Sequence, residues 1–258
     1  MRVMPGGPAL IDHARLLEAL GIEGELLGEL AHSAPADAPV PSCPGSTIGE
    51  TVRHVGSVYR LGLSWVRGGR RPLEWQREPG PGQSLGEYLR TGLAELIGEL
   101  AAHDPNARAP TWWPEDPTYG FWCRRMAHET TIHRADVQAA TGAEITGITG
   151  EFAADGVDEV LTLWFGQRLR TLGLSGTTTA SVAVQTGGHT WIARAGPGDT
   201  VAWRCSAGEA EQADAVVSGS AAQVYLWLWG RAGPTAVTVH GDHNASGQLW
   251  ALLRLATR

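Results

Sequence analysis

Residues 124–136 read Arg-Arg-Met-Ala-His-Glu-Thr-Thr-Ile-His-Arg-Ala-Asp. The run lies on a helix expected over residues 119–140, reached through a loop at 104–118 that holds Trp112 and Trp113 among its prolines. At first sight it resembles the zinc-protease signature His-Glu-x-x-His, but here the histidines are His128 and His133. At about 100° per residue, positions five apart lie roughly 140° from each other around a helix, so these two cannot face one ion. Glu129 and His133 are four apart, within about 40° on one face and one turn above the other, the geometry by which a helix presents two ligands. A third ligand must come from another helix, and a bundle is the fold in which facing helices contribute to a shared interior site. The candidate is His54, an imidazole in the otherwise apolar stripe of Thr51-Val-Arg-His54-Val-Gly-Ser-Val-Tyr59. The same residues also fit a plainer arrangement, a solvated i,i+4 pair beside a hydrogen-bonded core histidine.

Outward from this stretch, the first two-thirds of the chain reads as helices. Residues 10–31 carry a stripe of Leu16, Leu17, Leu20, Leu26, Leu27 and Leu30 with acids between, and the four prolines of 35–45 stop it. Thr47-Ile-Gly-Glu50 and Ser84-Leu-Gly-Glu87 are capping boxes, each opening a helix. The first runs through Val52, Val55, Val58 and Leu61 to Gly68-Gly69; the second runs through Leu89, Leu93, Leu96 and Leu100 to about His103. With the helix at 119–140 these make a four-helix bundle, and a fifth helical stretch spans 151–169.

The period then changes. Residues 181–186 and 190–194 read as strands around Gly187-Gly188, with further strands at 201–205, 213–217 and 236–240. Ser220 caps a short apolar helix to Trp229, and a terminal helix is expected at 245–255. The fold class is therefore α+β: a helical bundle over residues 1–172 followed by a small α+β domain over 173–258.

The composition of the 258 residues excludes several functions. All 20 basic residues are arginine, so Walker-type phosphate loops, pyridoxal Schiff bases and Ser-x-x-Lys acylases are ruled out. The net charge is -7 and the arginines are scattered, which predicts no nucleic-acid partner. Cys43, Cys123 and Cys205 are far apart and odd in number, fitting reduced thiols and a cytoplasmic protein. Residues 1–30 are broken by Pro5, Asp12, Glu18, Glu23 and Glu25, so neither a signal peptide nor a membrane span is expected.

Weaker motifs resolve into local structure. Gly82-Gln-Ser84-Leu-Gly86 has the spacing of a hydrolase elbow, but no strand precedes it and Ser84 is already a helix cap. His240-Gly-Asp242-His243 sits at a strand-to-helix turn, where Asp242 serves as a cap. Arg125, one turn before Glu129, is placed to orient that carboxylate, to meet an anionic ligand, or to form an ordinary helical ion pair. Asp136, three beyond His133, can hold a ligand's second nitrogen or sit on the helix surface. Cys123 points away from Glu129 and packs; Trp112, Trp113 and Trp122 suit either core or a pocket wall.

Thr51-Val-Arg-His54-Val55 and the run at 124–136 resemble the two hallmark stretches of the mycothiol-dependent maleylpyruvate isomerase family, a branch of the DinB-like metal-binding bundles. Val217-Ser-Gly-Ser-Ala-Ala-Gln-Val-Tyr-Leu-Trp-Leu-Trp-Gly-Arg231 is similar to that family's small C-terminal domain, so the resemblance covers nearly the whole chain. It implies a zinc ion held by His54, Glu129 and His133, and mycothiol or a similar thiol as cosubstrate at the open positions. It also implies that Arg231 projects from the second domain towards the metal and binds a carboxylate of substrate or thiol. A further arginine of the first domain is expected to assist, from among Arg70, Arg71 and Arg77.

The chemistry of the donor set agrees. Two imidazoles and a carboxylate with an open position make a catalytic zinc set, and zinc deprotonates a thiol at neutral pH. A thiolate that adds to an activated double bond, allows rotation and leaves gives cis-trans isomerisation; an adduct that persists gives S-transfer. The expected partners are a small electrophile and a small thiol. The alternative reading is a non-catalytic small-ligand-binding protein that keeps the bundle, with metal absent or structural.

Overall fold

The computed structural model describes residues 9–257. They form two compact units, one of residues 12–147 and one of 148–257 with the short segment before Asp12.

The first unit is a bundle of α1 (His13–Ser33), α2 (Ile48–Gly68), α3 (Leu85–Ala101) and α4 (Tyr119–Ala140). Both expected capping boxes form: Thr47 and Ser84 each accept from the backbone N–H three residues on, and Glu50 and Glu87 accept from the cap N–H in return. Around the bundle α1 packs on α4 and α3, and α2 on α3 and α4. Leu16, Leu20, Leu27, Val52, Val55, Leu89 and Leu96 are buried along the shared axis. Gly56 lets α2 approach α3 closely, since a Cβ there would lie 2.7 Å from the Tyr88 ring.

The α4 helix is the exception to the apolar pattern. Arg124, Arg125, His128, Thr130, Thr131, Arg134 and Asp136 are all buried along it. Burying such groups is costly unless each is paired. The partners are internal to the bundle: Arg134 Nε donates to Glu23 of α1 at 2.6 Å, and the Tyr59 and Thr130 hydroxyls meet at 2.9 Å.

The second unit contains the fifth helix as well as the sheet. This helix, α5, runs from Gly150 to Thr171, winding more widely over Val160–Arg168. It packs on β3 and on the helix that follows β4, so the units divide near residue 147 and not between 172 and 173 as the sequence pattern suggests. The five strands are β1 (Ala180–Thr186), β2 (His189–Ala195), β3 (Thr200–Arg204), β4 (Ala215–Ser218) and β5 (Thr238–Gly241), in spatial order β3-β2-β1-β4-β5. All pairings are antiparallel except β1 with β4. Gly187 and Gly188 make the β1–β2 turn with φ of 58° and 77°, the left-handed region that a two-residue hairpin requires. Helices α6 (Ala207–Ala210), α7 (Ala221–Leu228) and α8 (His243–Ala256) complete the unit. The carboxylate of Asp158 on α5, fully buried, accepts from Trp191 Nε1 and Arg204 Nε at 2.7 Å each, pinning α5 to β2 and β3. Among the described residues no helix is long and apolar enough to cross a membrane.

Candidate metal centre

His54 lies in the second turn of α2, and Glu129 and His133 lie one turn apart on α4. The packing of α2 on α4 brings the three together. His54 Nε2 is 3.3 Å and His133 Nε2 is 3.4 Å from the same atom, Glu129 Oε1. One ligand atom from each residue falls within 4.8 Å of the others, and the two imidazole rings meet edge-on at 5.0 Å. Zinc bonds of about 2.0–2.1 Å in tetrahedral geometry put neighbouring donors about 3.3–3.4 Å apart, and both spacings from Glu129 Oε1 match that figure, as a metal of that size requires.

Surrounding groups determine which atoms converge. Arg125 Nη2 donates to Glu129 Oε2 at 3.0 Å, leaving Oε1 for the histidines. Asp136 Oδ2 accepts from His133 Nδ1 at 3.0 Å, turning Nε2 of that ring towards Glu129. Asp136 Oδ1 accepts from Ser42 Oγ at 2.5 Å, and the Cys43 thiol reaches Oδ2 at 3.6 Å. The Trp75 ring stands edge-on to His54 at 5.6 Å.

The electrostatics follow from these contacts. Burial would raise the Glu129 carboxyl, but hydrogen bonds from His133 and His54 and the nearby Arg125 charge hold it well below the usual range. Burial would lower His133, yet its bonds to Asp136 and Glu129 and their charges outweigh this and push it up to about 9. In the protein alone His133 is an imidazolium spanning two carboxylates.

The other residues singled out from sequence lie as follows. His128 is fully buried on a different face of α4 from His133. Cys123 is buried, and desolvation lifts its thiol to about 11, which fits packing rather than nucleophilic work. Trp113 and Trp122 are core: Trp122 Nε1 donates to the Pro110 carbonyl, and Trp112 and Trp113 pack against Phe121. Arg231 belongs to the second unit, just after α7, where its Nη1 donates to the Trp229 carbonyl at 2.7 Å. Arg70 is exposed, the Arg71 guanidinium lies 5.2 Å from the Trp75 ring, and Arg77 lines a cavity of about 220 Å³ with Arg60, Arg67 and Trp75.

Sequence reasoning missed Trp75, Ser42 and Cys43. All three sit in loops without periodicity, and the only signal was their type: a tryptophan between arginines, and two polar side chains within a proline-rich stop.

The fold and the cluster together define a class: a four-helix bundle presenting a His-Glu-His set from two helices, followed in the chain by a mixed-sheet α+β unit. Residues 17–138 match the family model of the mycothiol maleylpyruvate isomerase N-terminal domain, and residues 151–247 match the model of the C-terminal domain of the same isomerase. The chain belongs to the mycothiol-dependent maleylpyruvate isomerase family. Among solved structures it is similar to the crystal structure of the mycothiol-dependent maleylpyruvate isomerase, 16% identical, with 90% of this chain and 95% of that chain covered and a TM-score of 0.61. A histidine-to-alanine mutant of that isomerase matches over the same shares at 15% identity and a TM-score of 0.60. Curated protein sequences yield no match.

Proposed function

We propose that this chain is a zinc-dependent enzyme that uses mycothiol or a similar small thiol against an activated electrophile, most simply as a cis-trans isomerase of an alkene conjugated to a carbonyl. The observation that carries the reading is the convergence of His54 Nε2, Glu129 Oε1 and His133 Nε2. The family and the name of its solved members support the thiol and the isomerisation.

His54, Glu129 and His133 would hold the ion. A bound zinc ion would supply Lewis acidity at an open position, lowering the thiol's pKa so that it reacts as thiolate at neutral pH. Arg125 keeps Glu129 to a single donor oxygen, which preserves that open position. With the ion bound, Asp136 would keep the His133 proton on Nδ1 and leave the lone pair on Nε2 for the metal. The thiolate adds to the alkene carbon β to the carbonyl, forming a C–S bond and moving the π electrons onto the carbonyl oxygen. Rotation about the resulting single bond and expulsion of the thiolate regenerate the alkene in the other geometry, with no net change in atoms. Where the thiolate does not leave and a proton is taken up at the α carbon, the product is the S-adduct of a transferase.

Arg231 is proposed to bind a carboxylate of substrate or thiol, as the resemblance implies. Its guanidinium is suited to bidentate recognition. The setting would be the cytoplasm, where small thiols stay reduced.

The test is elemental analysis with turnover. The untagged full chain should hold about one zinc per chain. Glu129→Ala and His133→Ala should lose both the metal and the mycothiol-dependent isomerisation of maleylpyruvate, followed by its ultraviolet absorbance. Metal content and thiol-dependent turnover that both survive these substitutions would overturn the reading.

A further inference from the structure

We infer that Asp136, held in place by Ser42, is a positioning residue for the metal centre, and that the loop before α2 is thereby a working part of the site. The inference deepens the proposed function and rests on its reading of the cluster as a metal site. Asp136 bonds His133 at Nδ1, the ring nitrogen opposite the one that meets Glu129, so it acts through His133.

The argument begins with cost. Asp136 has no solvent exposure, and a buried carboxylate is tolerated only where donors replace its water. It receives them from two directions: His133 Nδ1 on its own helix, and Ser42 Oγ with Cys43 Sγ from the loop. The serine bond falls on Oδ1 and the histidine bond on Oδ2, so both oxygens are anchored and the carboxylate plane cannot turn. With that plane held, the His133 ring is held too, and its Nε2 stays aimed at Glu129 Oε1.

The loop itself is braced. Val40 N–H donates to the Ser46 carbonyl, Cys43 N–H to the Val40 carbonyl and Ser46 N–H to the Cys43 carbonyl, closing a tight turn around Ser42. Next to it, Ile48 N–H donates to the Ala38 carbonyl and Gly49 N–H to the Ala36 carbonyl, tying the loop to the first turn of α2. That helix carries His54 one turn later. One short segment therefore contacts both ligand-bearing helices, at the carboxylate behind His133 and at the start of the helix of His54.

The experiment compares zinc affinity, by competition with a chromophoric chelator, in the full-length wild type, Asp136→Asn, Ser42→Ala and Ser42→Thr. The cobalt-substituted visible spectrum and the melting temperature of the metal-free chain are recorded beside it. Asp136→Asn should weaken zinc by about 10–100-fold and change the cobalt bands, the range expected for losing a carboxylate behind a ligand histidine. Ser42→Ala should weaken zinc less, and Ser42→Thr should restore it by returning the hydroxyl. Should Asp136→Asn fail to fold, the serine pair decides, because neither change leaves a charge buried alone. A wild type that binds zinc with affinity and cobalt spectrum unaltered in the variants overturns this inference alone. A wild type that binds no zinc overturns the metal reading and this inference with it.

Discussion

Glu129 and His133 titrate in opposite senses, and that sets how the metal-free protein responds to pH. His133 is raised from 6.5 to about 9 because its bonds to Asp136 and Glu129 prevail over burial. A raised folded value means that the stabilisation is fully present below the unfolded value and is lost as pH climbs through about 9. Glu129 is depressed from 4.5, so its contribution is present above that value and is lost as pH falls through the depressed one. Urea unfolding of the metal-free chain should therefore show a plateau, then a loss on the order of a few kcal/mol as pH rises from about 6.5 to about 9.5. His133→Gln should flatten that upper decline, and an unchanged decline would assign it to another group. On the proposed reading zinc would displace the His133 proton, so metal uptake near neutral pH should acidify a weakly buffered solution by up to about one proton per chain. Calorimetry in two buffers of different ionisation enthalpy measures that proton directly.

At the scale of elements, two contacts carry large mutational effects. Asp158 is the buried carboxylate through which α5 holds Trp191 of β2 and Arg204 of β3. Asp158→Ala would leave an indole N–H and a guanidinium without that acceptor, and should cost about 3–5 kcal/mol in denaturant unfolding followed by tryptophan fluorescence. In the bundle, Gly56→Ala would press a methyl against the Tyr88 ring, at 2.7 Å before relaxation. Overpacking of that kind costs about 1–3 kcal/mol. Because Gly56 is two residues from His54, the variant should also weaken zinc binding, and an unmoved affinity would show that α2 absorbs the strain without shifting its histidine. What the sequence made legible follows the same division. Glu129 and His133 could be paired because helical spacing is fixed at about 3.6 residues per turn, whatever the rest of the chain does. His54 stood out as an imidazole in an apolar stripe, and the capping boxes at Thr47 and Ser84 marked helix starts through local chemistry alone. Trp75, Ser42 and Cys43 were not legible, because a loop side chain reaches its partner only after tertiary closure. The brief α6, Ala207–Ala210, escaped notice for want of length, although Ser206 and Glu209 form a capping box there.

For the molecule as a whole, the sequence conveyed the order of a helical bundle and an α+β unit but assigned α5 to the wrong side of the seam. Its apolar periodicity is that of any amphipathic helix and does not say which surface it covers. Phe152, Val157, Leu161 and Phe165 are buried, and α5 packs on β3 and α7. A fragment ending at residue 147 should accordingly be monomeric and cooperative in unfolding, whereas one ending at 172 should expose that apolar face and aggregate. Light scattering of the two fragments checks this, and equal behaviour would place α5 with the bundle instead.

The histidine on α2 stands 75 residues in sequence from the first of the pair on α4. An ion held between them would be a cross-link that exists only in the folded chain, so its occupancy and the folding equilibrium would be one thermodynamic quantity. Raising free zinc to 100 times its dissociation constant would add about 2.7 kcal/mol to the stability of the bundle, and each further tenfold about 1.4. The melting temperature would then climb with the logarithm of zinc concentration, so that a cell starved of the metal would lose the enzyme to unfolding and proteolysis as well as to inactivity.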